Sequence, residues 1–275
     1  MGMCFGVRDA IALAVKASGG RPLTVLGELV HNETVLDDLR ARGIRFCGNV
    51  DEVETPCVMV TAHGASERRL AAARDRGLHV LDATCFLVHT AHSAVMSMAR
   101  EGLHPVIVGR RDHVEVRGLT EDLDEFDVVL DDEDVSHLTP RARFGVVAQT
   151  TQPVERVQRV ASLIQQRCPD AEVRVADTVC APTKRRQEAA LELARRADVV
   201  IVIGGACSNN TRELVDTCRA HCARVFHVQT AADLRAEWLV GARVVGLTAG
   251  TSTPDRVIDD VEGRLREIAG SRRAA

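Results

Sequence analysis

Val173-Arg174-Val175-Ala176-Asp177-Thr178-Val179-Cys180 is a short β-branched run ending in a cysteine just ahead of a helical pattern. Val80-Leu81-Asp82-Ala83-Thr84-Cys85 repeats the arrangement and shares the Asp-to-Cys phrase. A third cysteine, Cys4, follows only Met1-Gly2-Met3 and again precedes a helical pattern. The three lie 81 and 95 residues apart, so each third of the chain supplies one. A strand–cysteine–helix unit used three times predicts three thiolates at one centre. Three thiolates without a matched fourth suit an iron–sulfur cluster with one open iron.

The rest of the chain alternates in the same way. Apolar runs read as strands at Leu23–Leu26, Val58–Val60, Val80–Leu81, Pro105–Val108, Val128–Leu130, Phe144–Val147, Val173–Val175, Val199–Ile203, Val225–Val228 and Val244–Leu247. Amphipathic helical stretches lie between them, at Val7–Ala17, Glu67–Arg76, Val154–Gln166, Gln187–Arg196 and Arg256–Ile268. Short β-branched runs alternating with helices predict βαβ units and parallel sheets. Domain boundaries follow the cysteines: 1–85, 86–179 and 180–275. The expectation is three pseudo-threefold-related α/β domains around a central cluster. One irregularity stands out, because no strand precedes Cys4. On the threefold pattern, an initial strand is missing or the native chain extends upstream of Met1.

Composition excludes several classes. With 275 residues, 45% hydrophobic and 27% charged, the chain reads as an ordinary globular protein. Six Phe, one Trp and no Tyr provide little base-stacking surface, and a net charge of −4 gives no basic field, so no nucleic acid is expected. No long apolar run or signal peptide is evident, so a cytoplasmic location without membrane contact is expected. Nine cysteines in such a protein read as free, metal-bound or catalytic thiols rather than a disulfide framework.

In open α/β sheets, ligands bind beyond the carboxyl ends of the strands. Here those ends run into Thr61-Ala62-His63-Gly64, Gln149-Thr150-Thr151, Gly204-Gly205-Ala206-Cys207-Ser208-Asn209-Asn210-Thr211 and Thr248-Ala249-Gly250-Thr251-Ser252. Glycines ahead of helix N-termini, with neutral hydroxyl and amide donors, predict a phosphate or diphosphate site. Plain N-capping by Ser208, Asn210 and Ser252 is the alternative for each taken singly. Among ten histidines, His31, His63 and His113 lie at strand ends or loops, and His89 and His92 fall on the helix after Cys85. His79, His104, His137, His221 and His227 read as surface or capping residues. Asp112-His113-Val114-Glu115 places a carboxylate two residues from an imidazole, on one face if extended, and pairs a phosphate contact with a proton donor. Cys47, Cys57, Cys168, Cys218 and Cys222 read as core or surface thiols, and Cys207 as an adventitious one.

In order along the chain, these phrases resemble the 4-hydroxy-3-methylbut-2-enyl diphosphate reductase (IspH/LytB) family. The matching pieces are Cys4-Phe5-Gly6-Val7, Val30-His31-Asn32, Ala62-His63-Gly64, Asp82-Ala83-Thr84-Cys85, His113-Val114-Glu115-Val116, Gln149-Thr150-Thr151, Cys180 with Arg186-Gln187-Glu188, Ser208-Asn209-Asn210 and Thr248-Ala249-Gly250-Thr251-Ser252. The resemblance implies a [4Fe–4S] cluster held by Cys4, Cys85 and Cys180. It implies that His31, His63, His113, Thr151, Ser208, Asn209, Asn210 and Ser252 bind the substrate, chiefly its diphosphate. Glu115 would deliver protons, with Thr150 helping to place the substrate hydroxyl. The implied partners are a small allylic diphosphate and an electron donor such as ferredoxin or flavodoxin. Phe86, Val114, Cys207 and Asn209 depart from the family's usual residues beside these motifs. A paralogue with another allylic or diphosphate substrate, a non-catalytic iron–sulfur sensor and a structural zinc protein are the alternative readings. Structural zinc usually takes closely spaced cysteine pairs; Cys218 and Cys222, four apart on a helical stretch, could hold a metal but have no partner pair.

Overall fold

In the computed structural model, which describes residues 2–273, the chain forms two compact units. One holds Arg8–Val30 and Leu36–Cys180; the other holds residues 2–7, 31–35 and 181–273. The elements run α1 (Phe5–Ser18), β1 (Leu23–Leu26), α2 (Glu33–Ala41), β2 (Arg45–Cys47), β3 (Cys57–Val60), α3 (Glu67–Asp75) and β4 (His79–Asp82). There follow α4 (Phe86–Arg100), β5 (His104–Val108), α5 (Val114–Thr120), β6 (Asp127–Val129), α6 (Asp132–Ser136), β7 (Arg143–Ala148), α7 (Val154–Arg167) and β8 (Glu172–Val175). The last are α8 (Ala181–Ala194), β9 (Val199–Ile203), α9 (Asn209–Arg219), β10 (Val225–Val228), β11 (Val245–Ala249) and α10 (Asp255–Arg273). No described helix is long and apolar enough to cross a membrane.

Three all-parallel sheets result, ordered β2-β1-β3-β4, β6-β5-β7-β8 and β10-β9-β11. Inner strands covered on both faces must be apolar throughout. Accordingly β5 and β9 are buried at every position, whereas the edge strands β4 and β8 expose both ends. Phe144, Ile107, Ile164, Ile201, Ile203 and Leu214 are among the largest fully buried side chains. Burying one such aliphatic side chain contributes about 2 kcal/mol relative to leaving it in water.

The sheets repeat one another in detail. Beyond β1, β5 and β9 the next residue is always glycine, at positions 27, 109 and 204. Its N–H donates to the last carbonyl of the neighbouring strand: Gly27 to Cys47 (2.7 Å), Gly109 to Val129 (2.9 Å) and Gly204 to Val228 (3.0 Å). The fifth residue beyond the same three strands is His31, His113 and Ser208, each just ahead of a helix. Beyond β3, β7 and β11, the second residue is Ala62, Thr150 and Thr251. Their carbonyls accept from Cys85 (3.1 Å), Cys180 (2.9 Å) and Cys4 (2.9 Å) respectively. The third repeat thus takes its cysteine from the start of the chain, at the tip of β11. No strand precedes α1 among the described residues.

Three sequence expectations change. Val114–Glu115 lies in α5 rather than in extended chain, because the His113 ring accepts the Glu115 N–H (3.1 Å) and caps the helix. His104 is a buried strand residue joined to Asp127 (2.8 Å), not a surface or capping one. β2 was unforeseen, being three residues with a charged, exposed end.

Close packing at the tips of the third sheet leaves no room for side chains on its glycines. A methyl group on Gly250 would lie 2.2 Å from Thr211 Oγ1. Gly250→Ala is therefore expected to lower stability by about 2 kcal/mol in urea denaturation, and adding Thr211→Ala should recover most of it.

Candidate functional site

Within the larger unit, the tips of the first two sheets are tied together by acid–amide contacts. Asp122, just past α5, accepts the N–H groups of Glu67 (2.8 Å) and Arg68 (3.1 Å) at the start of α3 and pairs with His92 (3.1 Å). Glu121 accepts from the Ser66 hydroxyl (2.7 Å). These bonds set the His63 loop against α5, and the His63 and His113 rings meet edge to face with centroids 5.6 Å apart. The His63 N–H is itself held by Thr61 Oγ1 (3.2 Å).

Glu115 lies beneath them, 2% exposed, with Oε1 accepting the Thr150 N–H at 2.6 Å. Burial pushes its carboxyl up to about 7, against the opposing pull of the backbone and side-chain bonds from Thr150. A carboxyl poised near neutrality, bonded to a strand tip, is equipped to release a proton at physiological pH. His63 and Glu115 line one cleft, together with Thr84, Val88 and His89. The loop before Cys180 is fixed by Thr178, whose hydroxyl donates to Ala148 O and accepts from Ala148 N, both at 2.9 Å.

The other unit gathers His31, Ser208, Asn209, Asn210, Ser252 and Cys4. Ser208 is indeed the N-cap of α9, accepting from Thr211 N. Asn210 is not a cap: its Oδ1 accepts the Thr251 N–H at 3.0 Å, leaving a buried Nδ2 with no hydrogen-bond partner. Ser252 is not a cap either; its hydroxyl donates to His31 O at 3.3 Å. A Cβ on Gly205 would meet that same carbonyl at 2.2 Å, so only glycine permits the approach. Asn210 and Glu115 occupy equivalent places in their repeats, two residues beyond Ser208 and His113, and make the same bond to the following tip.

Cys4, Cys85 and Cys180 are partly buried thiols, each immediately ahead of a helix. Helix N-termini favour thiolates electrostatically, so the donor set suits metal binding. No group of three His, Cys, Asp or Glu among the described residues is placed to hold a single metal ion. A four-iron cluster asks less, because each thiolate binds a different iron. Arg186 lies by Cys4 and donates to Ala249 O and to Gly2 O (2.9 Å). Burial draws its guanidinium below the usual value, opposed by the charge of Cys4. The sequence marked neither Thr178 nor Arg186 as a positioning group, although both fall inside the phrases around Cys180. Cys218 and Cys222 are buried, and burial lifts the Cys218 thiol to about 11.

Parallel sheets whose carboxyl ends carry thiols, imidazoles and a buried acid define an α/β protein with one polar, reactive kind of edge. Comparison with known proteins identifies the group: the family described as LytB protein matches residues 1–266, and the chain belongs to it. It is similar to the 4-hydroxy-3-methylbut-2-enyl diphosphate reductase of Pelobacter propionicus, at 39% identity over 97% of this chain and 95% of the relative. The reductase of the same name from Aquifex aeolicus is 38% identical, covering 97% and 94%. Among solved structures, the E-1-hydroxy-2-methyl-but-2-enyl-4-diphosphate reductase of Plasmodium falciparum superposes with a TM-score of 0.89 at 27% identity, over 95% of this chain and 84% of that one. A second, described as the terminal enzyme of the non-mevalonate pathway, gives 0.69 at 36% identity over 97% and 96%.

The ionisation of Glu115 makes a signed prediction. With 4.5 in the unfolded chain and about 7 in the fold, the native state holds a proton that the unfolded chain has released. Its contribution to stability is complete below 4.5 and is lost as pH rises through 7. Glu115→Gln should melt with the wild type near pH 4 and roughly 5 °C above it at pH 8, by calorimetry across that range.

Proposed function

We propose that this chain reduces 4-hydroxy-3-methylbut-2-enyl diphosphate to isopentenyl and dimethylallyl diphosphate, using a [4Fe–4S] cluster held by Cys4, Cys85 and Cys180. The observation that carries this reading is Glu115: a buried acid near neutrality, bonded to Thr150 and sharing a cleft with His63, in a chain of the LytB family. Replacing the hydroxyl of an allylic carbon by hydrogen needs a Lewis acid, two electrons and two protons, one leaving with the hydroxyl as water and one ending on carbon. When bound, the cluster supplies the Lewis acid and passes electrons singly from a carrier such as ferredoxin or flavodoxin.

The chain's own residues do the rest. Glu115 gives up its proton to the leaving hydroxyl, and Thr150 holds that carboxyl in place. His31, His63, His113, Thr151, Ser208, Asn209, Asn210 and Ser252 bind the substrate, chiefly at its diphosphate. The buried Nδ2 of Asn210 is a donor awaiting such an acceptor. Holding the charged end orients the reacting end, so that remote binding is spent on geometry. The recurring glycine, cysteine and polar-tip positions support three domains divided near 85 and 180, and the cytoplasm is the compartment we assign. A sensor would have no use for a buried proton donor, which favours catalysis.

Anaerobic turnover with reduced viologen, on protein reconstituted with iron and sulfide, tests this reading. Both five-carbon diphosphates should form. Iron uptake without turnover would redirect the search to another allylic diphosphate, and no iron uptake would remove the assignment of the three thiols. Cys180→Ser should abolish the brown colour of the reconstituted protein. His63→Ala should keep the colour and weaken inhibition by inorganic pyrophosphate about tenfold.

A further inference from the structure

Gln149 is the first residue beyond β7 and is wholly buried. Every polar atom of its side chain is engaged. Oε1 accepts the Arg110 N–H (3.2 Å) and a proton from Gln152 Nε2 (3.1 Å), while Nε2 donates to Thr151 Oγ1 (3.3 Å). Arg110 in turn accepts the His113 N–H at its carbonyl (3.0 Å). One carboxamide therefore joins the loop bearing His113 to the tip bearing Thr151. Its fit is close: a methyl on Gly109 would come 2.9 Å from Gln149 Cβ and 3.0 Å from Oε1. At the other tip of the larger unit the corresponding residue, Thr61, first beyond β3, makes only a local bond, accepting the N–H of His63 at its hydroxyl (3.2 Å).

Glu115 and Thr150 bridge the same two tips, but through an acid that must change its charge in every turnover. Gln149 does not titrate. We propose that Gln149 is a positioning residue, which fixes the Thr151 hydroxyl and the His113 loop for the substrate's diphosphate independently of the state of Glu115. The inference rests on the proposed assignment of Thr151 and His113 to that diphosphate. By donating to Thr151 Oγ1, Gln149 fills an acceptor position on that oxygen and so restricts where the hydroxyl proton can point. That proton is what a phosphoryl oxygen would take up.

The test compares Gln149→Met, Thr151→Val and the double variant in steady-state turnover, with iron content and melting temperature measured on each. Gln149→Met should raise KM for the diphosphate substrate about tenfold, with kcat and the alkaline limb of its pH profile nearly unchanged. Added to Thr151→Val, it should raise KM by a clearly smaller factor, because much of its effect passes through that hydroxyl. An unchanged KM in Gln149→Met, or the same factor in both backgrounds, overturns the proposal. If Thr151→Val alone leaves KM unchanged, the assignment of Thr151 falls and this inference with it. Should Gln149→Met fail to fold, Gln149→Glu decides. Its carboxylate still accepts from Arg110 and Gln152 but cannot donate to Thr151. KM should then rise more when Thr151 is intact than in the Thr151→Val background; an equal rise would mark simple charge repulsion and count against the role.

Discussion

The rest of the structure depends on one backbone hydrogen bond, made three times. A cysteine N–H at the start of a helix donates to the carbonyl two residues beyond a parallel strand, at Ala62, Thr150 and Thr251. A strand ending leaves its last carbonyls without ladder partners, and a helix beginning leaves its first amides free. Joining the two satisfies both and fixes each thiol to a strand tip with little freedom. In the first two repeats the bond prolongs the pairing of an edge strand, β4 on β3 and β8 on β7. In the third, Arg186 clamps the segment at Gly2 instead.

One repeated scaffold carries three different chemistries. The positions of His31, His113 and Ser208 correspond, as do those of His63, Thr151 and Ser252. Two residues beyond the first set stand Glu33, Glu115 and Asn210. Glu33 is exposed, Glu115 is a buried acid with a raised carboxyl, and Asn210 is a neutral amide making Glu115's bond without its charge. Burial, rather than residue type, separates the two glutamates. Two of the three equivalent places are buried, but only one of them carries an acid, and that one holds a proton near neutral pH.

Much of this was legible in the sequence, for physical reasons. Inner strands such as Val199–Ile203 stand out because covering both faces forces unbroken β-branched runs. Helix starts were harder to place. Ala181-Pro182-Thr183-Lys184 shows no apolar periodicity, so α8 begins six residues before the expected Gln187. The pairing of His113 with Glu115 was visible as spacing but misread as extended chain, because ring-to-amide capping leaves no periodic trace. Gln149, Thr178 and Arg186 escaped notice as positioning groups for a related reason. They act by bonding to backbone and side-chain atoms that only the folded chain brings near.

The position of each latch would couple the two kinds of ligand proposed for this protein. The carbonyl that holds each cysteine belongs to the residue directly before His63, Thr151 or Ser252. Ordering a thiol thus orders the neighbouring side chain, and the reverse follows from thermodynamic reciprocity. An assembled metal centre would sharpen affinity for the anionic end of the proposed substrate, and a bound anion would raise affinity for the metal centre by the same factor. In the proposed enzyme, occupancy by the anionic substrate would then itself help to retain the metal centre.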